Sequence, residues 1–252
     1  GDTLVRCLDA GSGRELWSFR AEAAVARGAN RCEAGLLFGS DDFFLYCLDE
    51  EKGRLRWKAE SGDRIFAPPA VAQERIYLSG CDGVLRCLRA ADGREAWQLE
   101  SGGHAPASPL PLPGVCLLAT MEGGLLCHDL EKERDRWHFS RPGASFQASP
   151  AAAGGLVVAA SGEDQRIYAV ELETGKEVWS FLCRGGIKAP PVIAGRVVVV
   201  GSTDGNLYFL DLAAGRELWR YAAGRPIEGC PAPAGDYLLV GDKGGRLHCL
   251  GR

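Results

Sequence analysis

Ten cysteines and four histidines are the residues of this 252-residue chain best suited to chemistry, and their spacing decides what they can do. Zinc needs Cys and His ligands at short intervals. Cys7, Cys47, Cys87 and Cys127 instead lie 40 residues apart, and Cys249 falls at the equivalent place near the end. Ala169 and Phe209 fill that place in two further copies. The position therefore reads as a buried apolar one, where a thiol packs like Ala. His128 follows Cys127 and His248 precedes Cys249, but neighbours along a strand point to opposite faces. His104 and His138 occupy unrelated places in their repeats. Calcium needs several oxygen ligands close together. Asp41-Asp42, Asp82-Gly83, Asp204-Gly205 and Asp242-Lys243-Gly244 recur in one turn, without a D-x-D-x-D-G loop, and read as turn chemistry. No Ser–His–Asp or Cys–His set, G-x-S-x-G elbow or phosphate loop can be assembled. The expectation is a chain without enzymatic activity, metal or cofactor.

The elements that position these residues are set by tryptophan. Trp17, Trp57, Trp97, Trp137, Trp179 and Trp219 are spaced 40, 40, 40, 42 and 40 apart, with none off the grid. A period near 40 denotes repeated supersecondary units. Residues 190–219 show one unit clearly: apolar segments at 191–194, 196–201, 207–212 and 216–221, separated by turns such as Thr203-Asp204-Gly205-Asn206. Four short strands on tight turns make an antiparallel meander. No segment sustains a helical period, so the chain reads as all-β. Gly13, Gly53, Gly93, Gly175 and Gly215 each precede a Trp by four residues. Glu133 takes that place in the fourth copy, where the turn is expected to be strained or differently built.

A four-stranded sheet of this size cannot bury both faces alone. Radial stacking into a β-propeller solves the problem, with each indole packed between neighbouring blades. The Trp strand occurs six times, which favours six blades, with seven as the alternative. Ring closure is expected from both termini, residues 227–250 supplying three inner strands and 14–20 the outermost, and residues 4–9 left outside or displacing 246–252. The whole of 1–252 reads as a single domain, possibly one part of a longer multidomain protein.

Composition narrows the function classes. Lys plus Arg is 29 and Asp plus Glu is 33, a net charge of −4, which leaves no electrostatic footprint for nucleic acid. A hydrophobic content of 46% excludes a disordered chain, and no apolar run approaches the ~18 residues of a membrane span.

The segment Leu-Asp-x-x-x-Gly-Arg-Glu-Leu-Trp at 8–17 and 210–219, with Glu-Thr-Gly-Lys-Glu-Val-Trp at 173–179, resembles the repeats of pyrroloquinoline quinone (PQQ) enzymes. The resemblance implies a quinoprotein-like propeller. It is shared by eight-bladed dehydrogenases holding PQQ and calcium, a periplasmic scaffold lipoprotein of outer-membrane β-barrel assembly, and sensor domains of bacterial kinases. The adjacent Cys-Cys pair usual in the dehydrogenases does not occur here. A binding or scaffold propeller is therefore expected, with a ligand-sensing domain or a PQQ-dependent oxidoreductase as alternatives.

Propellers bind at the mouth of the central channel. Three residues before Pro69, Pro109, Pro150, Pro191 and Pro231 stand Phe66, Pro106, Gln147, Lys188 and Glu228, with Ala26 as the first-copy counterpart. These are expected to ring the mouth, with Lys188 and Glu228 pairing and Arg27, Arg64, His104 and Phe146 on neighbouring loops. The partner would be a protein, a peptide or a small polar ligand, met by a monomer. Ten Cys at strand positions suggest reduced thiols and a cytoplasmic setting, with an exported or periplasmic domain as the alternative.

Overall fold

Apolar runs of four to six residues, each cut off by a Gly- or Asp-containing turn, leave the backbone one economical way to pair its polar groups: antiparallel hairpins. The computed structural model describes residues 2–25 and 28–251, so Ala26 and Arg27 lie outside the described residues. It shows 25 strands and, among the described residues, no helix. The chain divides into two compact units, Gly1–Leu112 and Pro113–Arg252.

In the first unit, β1 (Asp2–Leu8) and β2 (Glu15–Val25) form a two-stranded antiparallel sheet. Strands β3 (Asn30–Cys32), β4 (Gly35–Gly39), β5 (Phe44–Leu48) and β6 (Leu55–Glu60) form a four-stranded meander in sequence order. So do β7 (Ala70–Ala72), β8 (Arg75–Ser79), β9 (Val84–Arg89) and β10 (Glu95–Glu100), and β11 (Leu110–Leu112) ends the unit. Residues 4–8 do not lie outside a sheet: Cys7 stands opposite Trp17 as Cys47 stands opposite Trp57.

The second unit starts with β12 (Val115–Ala119), β13 (Gly124–Asp129) and β14 (Arg134–Ser140), paired in that order. Two complete meanders follow. One is β15 (Ala151–Ala153), β16 (Leu156–Ala160), β17 (Arg166–Glu171) and β18 (Glu177–Leu182); the other is β19 (Val192–Ala194), β20 (Val197–Gly201), β21 (Asn206–Asp211) and β22 (Glu217–Ala222). The last sheet is three-stranded: β23 (Ala232–Ala234), β24 (Tyr237–Gly241) and β25 (Leu247–Leu250). The strands expected within 190–219 are present, with every boundary within one residue of the expected one.

The core lies between consecutive sheets. Cys32, Leu37, Leu45 and Cys47 pack with Ile65, Ile76, Leu78 and Leu88 in the first unit. Val158, Ile167 and Trp179 pack with Val198, Val200, Tyr208 and Leu210 in the second. Each seam is locked by its indole. A Cβ built on Gly53, Gly93, Gly175 or Gly215 would fall 2.4–2.6 Å from the rings of Trp17, Trp57, Trp137 and Trp179 respectively. The ring therefore lies flat on a glycine of the following repeat. The Nε1–H of Trp17, Trp137 and Trp179 donates at 2.8 Å to the carbonyls of Glu50, Leu172 and Leu212, also in the following repeat. The same glycines take φ of 64–70°, the left-handed turn that other residues enter at a cost. Glu133 takes φ 50° at its own turn, the strain expected there. Trp97 packs edge-on to Tyr77 at 6.2 Å.

Trp219 departs from the expected packing between sheets. It is 52% exposed and leans on Phe209 and Tyr221 of its own sheet. The β23–β25 sheet that follows has no fourth strand, and so no turn of the Leu212–Gly215 kind to receive the ring.

Candidate functional site

The expected mouth positions sit on the extended segments that lead into β7, β11, β15, β19 and β23. Those segments are tied down by the preceding repeat. Ala105 N–H donates to Gly80 C=O at 3.1 Å, Phe146 N–H to Thr120 C=O at 3.1 Å and Ile227 N–H to Ser202 C=O at 3.0 Å. Alternation along an extended segment then turns one side chain inward and the next outward.

The inward set is Ile65, Ala105, Phe146, Ile187 and Ile227, each at most 4% exposed. Phe146 is thus a core residue rather than a rim residue. Its ring lies 6.5 Å from Phe139 and 5.9 Å from Tyr168. The signal was present in the sequence, because every copy carries an apolar residue at that step. The glycines beneath are cut to fit: a Cβ on Gly39 or Gly201 would fall 2.3 Å from Ile65 or Ile227.

The outward set behaves as a wet surface. In the second unit Gln147 and Lys188 are exposed and Glu228 is partly so. Lys188 Nζ reaches Glu228 Oε1 at 3.0 Å, the pairing expected from adjacent repeats. Lys243, which sequence reasoning missed, reaches the other oxygen at 2.8 Å. The two ammonium groups, Lys243 first and then Lys188, hold the Glu228 carboxyl below the ordinary carboxylate value. Lys243 was hidden because it sits on the β24–β25 turn, one of the turns read as Asp–Gly chemistry. In the first unit Phe66 and Pro106 are partly exposed, Arg64 and His104 exposed, and the Arg64 guanidinium lies 5.9 Å from the Phe66 ring centre.

The recurrent Asp turns serve folding. Asp42, Asp82 and Asp204 each accept from the backbone N–H two residues on, and Asp242 accepts from Gly244 N–H at 2.8 Å. Their second oxygens hold third-strand side chains: Tyr46 Oη at 2.7 Å, Arg86 Nη1 at 2.6 Å, Tyr208 Oη, and His248 Nε2 at 2.9 Å. Burial, with the facing Asp204, pushes the Tyr208 phenol up to about 12.

The cysteines are thiols, with no disulfide among them. Burial raises Cys87 and Cys127 to about 11 and Cys47 and Cys183 to about 12, which makes them poor nucleophiles. Cys249 and Cys230 are exposed, so the buried reading holds for Cys47, Cys87 and Cys127 but not at the last copy. Among the described residues, no three His, Cys, Asp or Glu side chains cluster in a way that could hold a metal ion.

Four-stranded meanders, indoles seated on the next repeat's glycine, and a 40-residue period define a β-propeller of the PQQ-like repeat class. The chain belongs to the family described as outer membrane protein assembly factor BamB, whose profile matches residues 1–125 and again 121–252. Among solved structures it is similar to the crystal structure of BamB from Moraxella catarrhalis, at 18% identity and a TM-score of 0.86, over 100% of this chain and 80% of that one. It is also similar to the computationally designed Ika8 protein, at 15% identity and a TM-score of 0.85, over 98% of this chain and 77% of that one. At these identities the likeness is one of fold. No curated protein sequence matches the chain.

Proposed function

We propose that the chain is a non-catalytic scaffold, a monomeric single-domain propeller that engages a protein or peptide partner through its exposed rim, in the assembly of outer membrane proteins. The observation that carries this reading is the family match along the whole length. The rim arc of Gln147, Lys188, Glu228 and Lys243 supports it: exposed, charged and built on rigid segments, it offers donors and acceptors without any catalytic set. Within the first unit, Phe66 with Arg64, and the exposed His104, would offer contacts of their own. The family description favours the exported setting over the cytoplasmic one that the cysteines suggested. Buried thiols shielded from oxidants are compatible with either.

The test is complementation of a bacterium lacking its own assembly factor of this family, read as the amount of folded outer-membrane β-barrel. The wild-type chain should restore it. The double variant Lys188→Ala, Glu228→Ala should fold normally, because its ion pair is solvent-exposed and contributes ~0–1 kcal/mol, yet restore less. Full restoration by the variant would remove the rim from the reading. No restoration by a folded wild-type chain would refute the assembly role.

A further inference from the structure

The residue that faces the preceding indole is Glu50 in the first repeat, leucine in the later ones, and smallest in the second repeat. The residue whose carbonyl receives the preceding indole is Leu172 or Leu212 in the second unit, and Leu130 holds the same place in β13's repeat. In the second repeat it is Ala90. Beside Ala90 a cavity of about 440 Å³ opens between the β3–β6 and β7–β10 sheets, within the range of small-ligand sites. Arg56, Arg75 and Arg89 line it together with Glu33 and Glu74.

Its charges are unusual for this fold. Arg75 stands directly opposite Arg89 on the neighbouring strand. The corresponding pairs elsewhere are Val115 with Asp129, Leu156 with Glu171 and Val197 with Asp211. Like charges directly opposed destabilise a sheet. Arg89 is neutralised by Asp92 at 2.7 Å and Arg56 by Asp49 at 2.9 Å. Arg75 Nη1 is buried without a hydrogen-bond partner, and so is the Nε1 of Trp57, whose counterparts Trp17, Trp137 and Trp179 donate to the next repeat. Two orphaned buried donors at one broken seam are expensive unless something accepts from them.

We propose that this cavity binds a small oxyanion, a carboxylate or phosphate group, which accepts from Arg75 Nη1. The seam that three later repeats close with a leucine is closed here by a ligand. Glu33 and Glu74, which also line the cavity, restrict the ligand to a single compact charge.

The probes are sodium phosphate and sodium acetate, each compared with sodium chloride at equal ionic strength, with thermal unfolding and calorimetric titration as readouts. The wild type should melt at a higher temperature in one or both oxyanions than in chloride, and titration should show saturable binding. Phosphate acting alone assigns a phosphate-bearing ligand, and acetate alone a carboxylate. Arg75→Leu should abolish the oxyanion shift while raising the melting temperature in chloride, since it restores the residue type of the sister repeats. Ala90→Leu, which narrows the cavity beside Arg75, should also weaken it, and keeps the test usable if Arg75→Leu does not fold. An equal shift in wild type and Ala90→Leu, or no shift in the wild type, would overturn the proposal.

Discussion

Trp179 and Trp219 hold the same place in adjacent repeats, yet truncating them should have very different effects. Trp179 is 8% exposed, lies on Gly215 and donates to Leu212 C=O at 2.8 Å; Trp219 is 52% exposed. Full burial of an indole removes ~150–250 Å² from water, at ~25 cal/mol per Å² an upper value of ~4–6 kcal/mol. Nearly all of that applies to Trp179 and about half to Trp219. Truncations of buried indoles fall below that bound, so Trp179→Ala should cost ~3–5 kcal/mol, and Trp219→Ala, with about half the burial and no such hydrogen bond to lose, ~1–2 kcal/mol. Urea unfolding followed by circular dichroism at matched protein concentration reads both, with the slope of the transition as a check that the same surface unfolds. Equal costs, or a cost below about 1.5 kcal/mol for Trp179→Ala, would refute the idea that the indole holds the seam.

The glycines permit a cleaner separation of backbone from packing. Gly13→Ala meets only the strain of φ 71°, with nothing within 4 Å, and should cost ~1–2 kcal/mol. Gly215→Ala has a similar φ of 66° but drives a methyl into Trp179, and should cost a further ~1–3 kcal/mol by chemical denaturation. Asp129 is held near pKa 2, below its ordinary 3.8, chiefly by the Lys132 N–H and then by Arg136. Because the folded value is the lower one, its contribution is complete above pH ~4 and fades as pH falls towards 2. The stability gap between wild type and Asp129→Asn should therefore close over that window, and a gap independent of pH would contradict the assignment. Pyrroloquinoline quinone with calcium should leave the melting temperature unchanged and support no dye reduction.

The tryptophan grid alone was enough to read the meander, the all-β class and the family resemblance, because one indole per unit at constant spacing leaves few alternatives. The Lys188–Glu228 pair was legible for the same reason: equal positions in consecutive repeats are neighbours. Three things were not legible. Phe146 was assigned to the rim because the direction of a side chain on an irregular segment depends on one residue of register, which the Gly39-on-Ile65 contact fixes and composition does not. A bulge stands in front of every Trp, as where Cys47 faces Trp57 but Leu48 faces Leu55. It turns Arg56 towards Asp49, and nothing in a four-residue strand pattern announces it. The cavity beside Ala90 was invisible because Arg56, Arg75 and Arg89 are scattered in the chain and meet around one space only in the fold.

Trp17, Trp57, Trp137 and Trp179 each reach forward, onto a glycine of the following repeat. The interface is therefore a plug and a socket carried on opposite sides of one cassette, rather than a pair of matched faces. A segment of forty residues cut at any phase still carries one of each. Whole cassettes can be duplicated or lost in frame with every new junction already compatible, whereas an insertion must go into a loop. The 42-residue step between Trp137 and Trp179 shows such an insertion: Gly175 still meets Trp137, and the joint has survived the change in length.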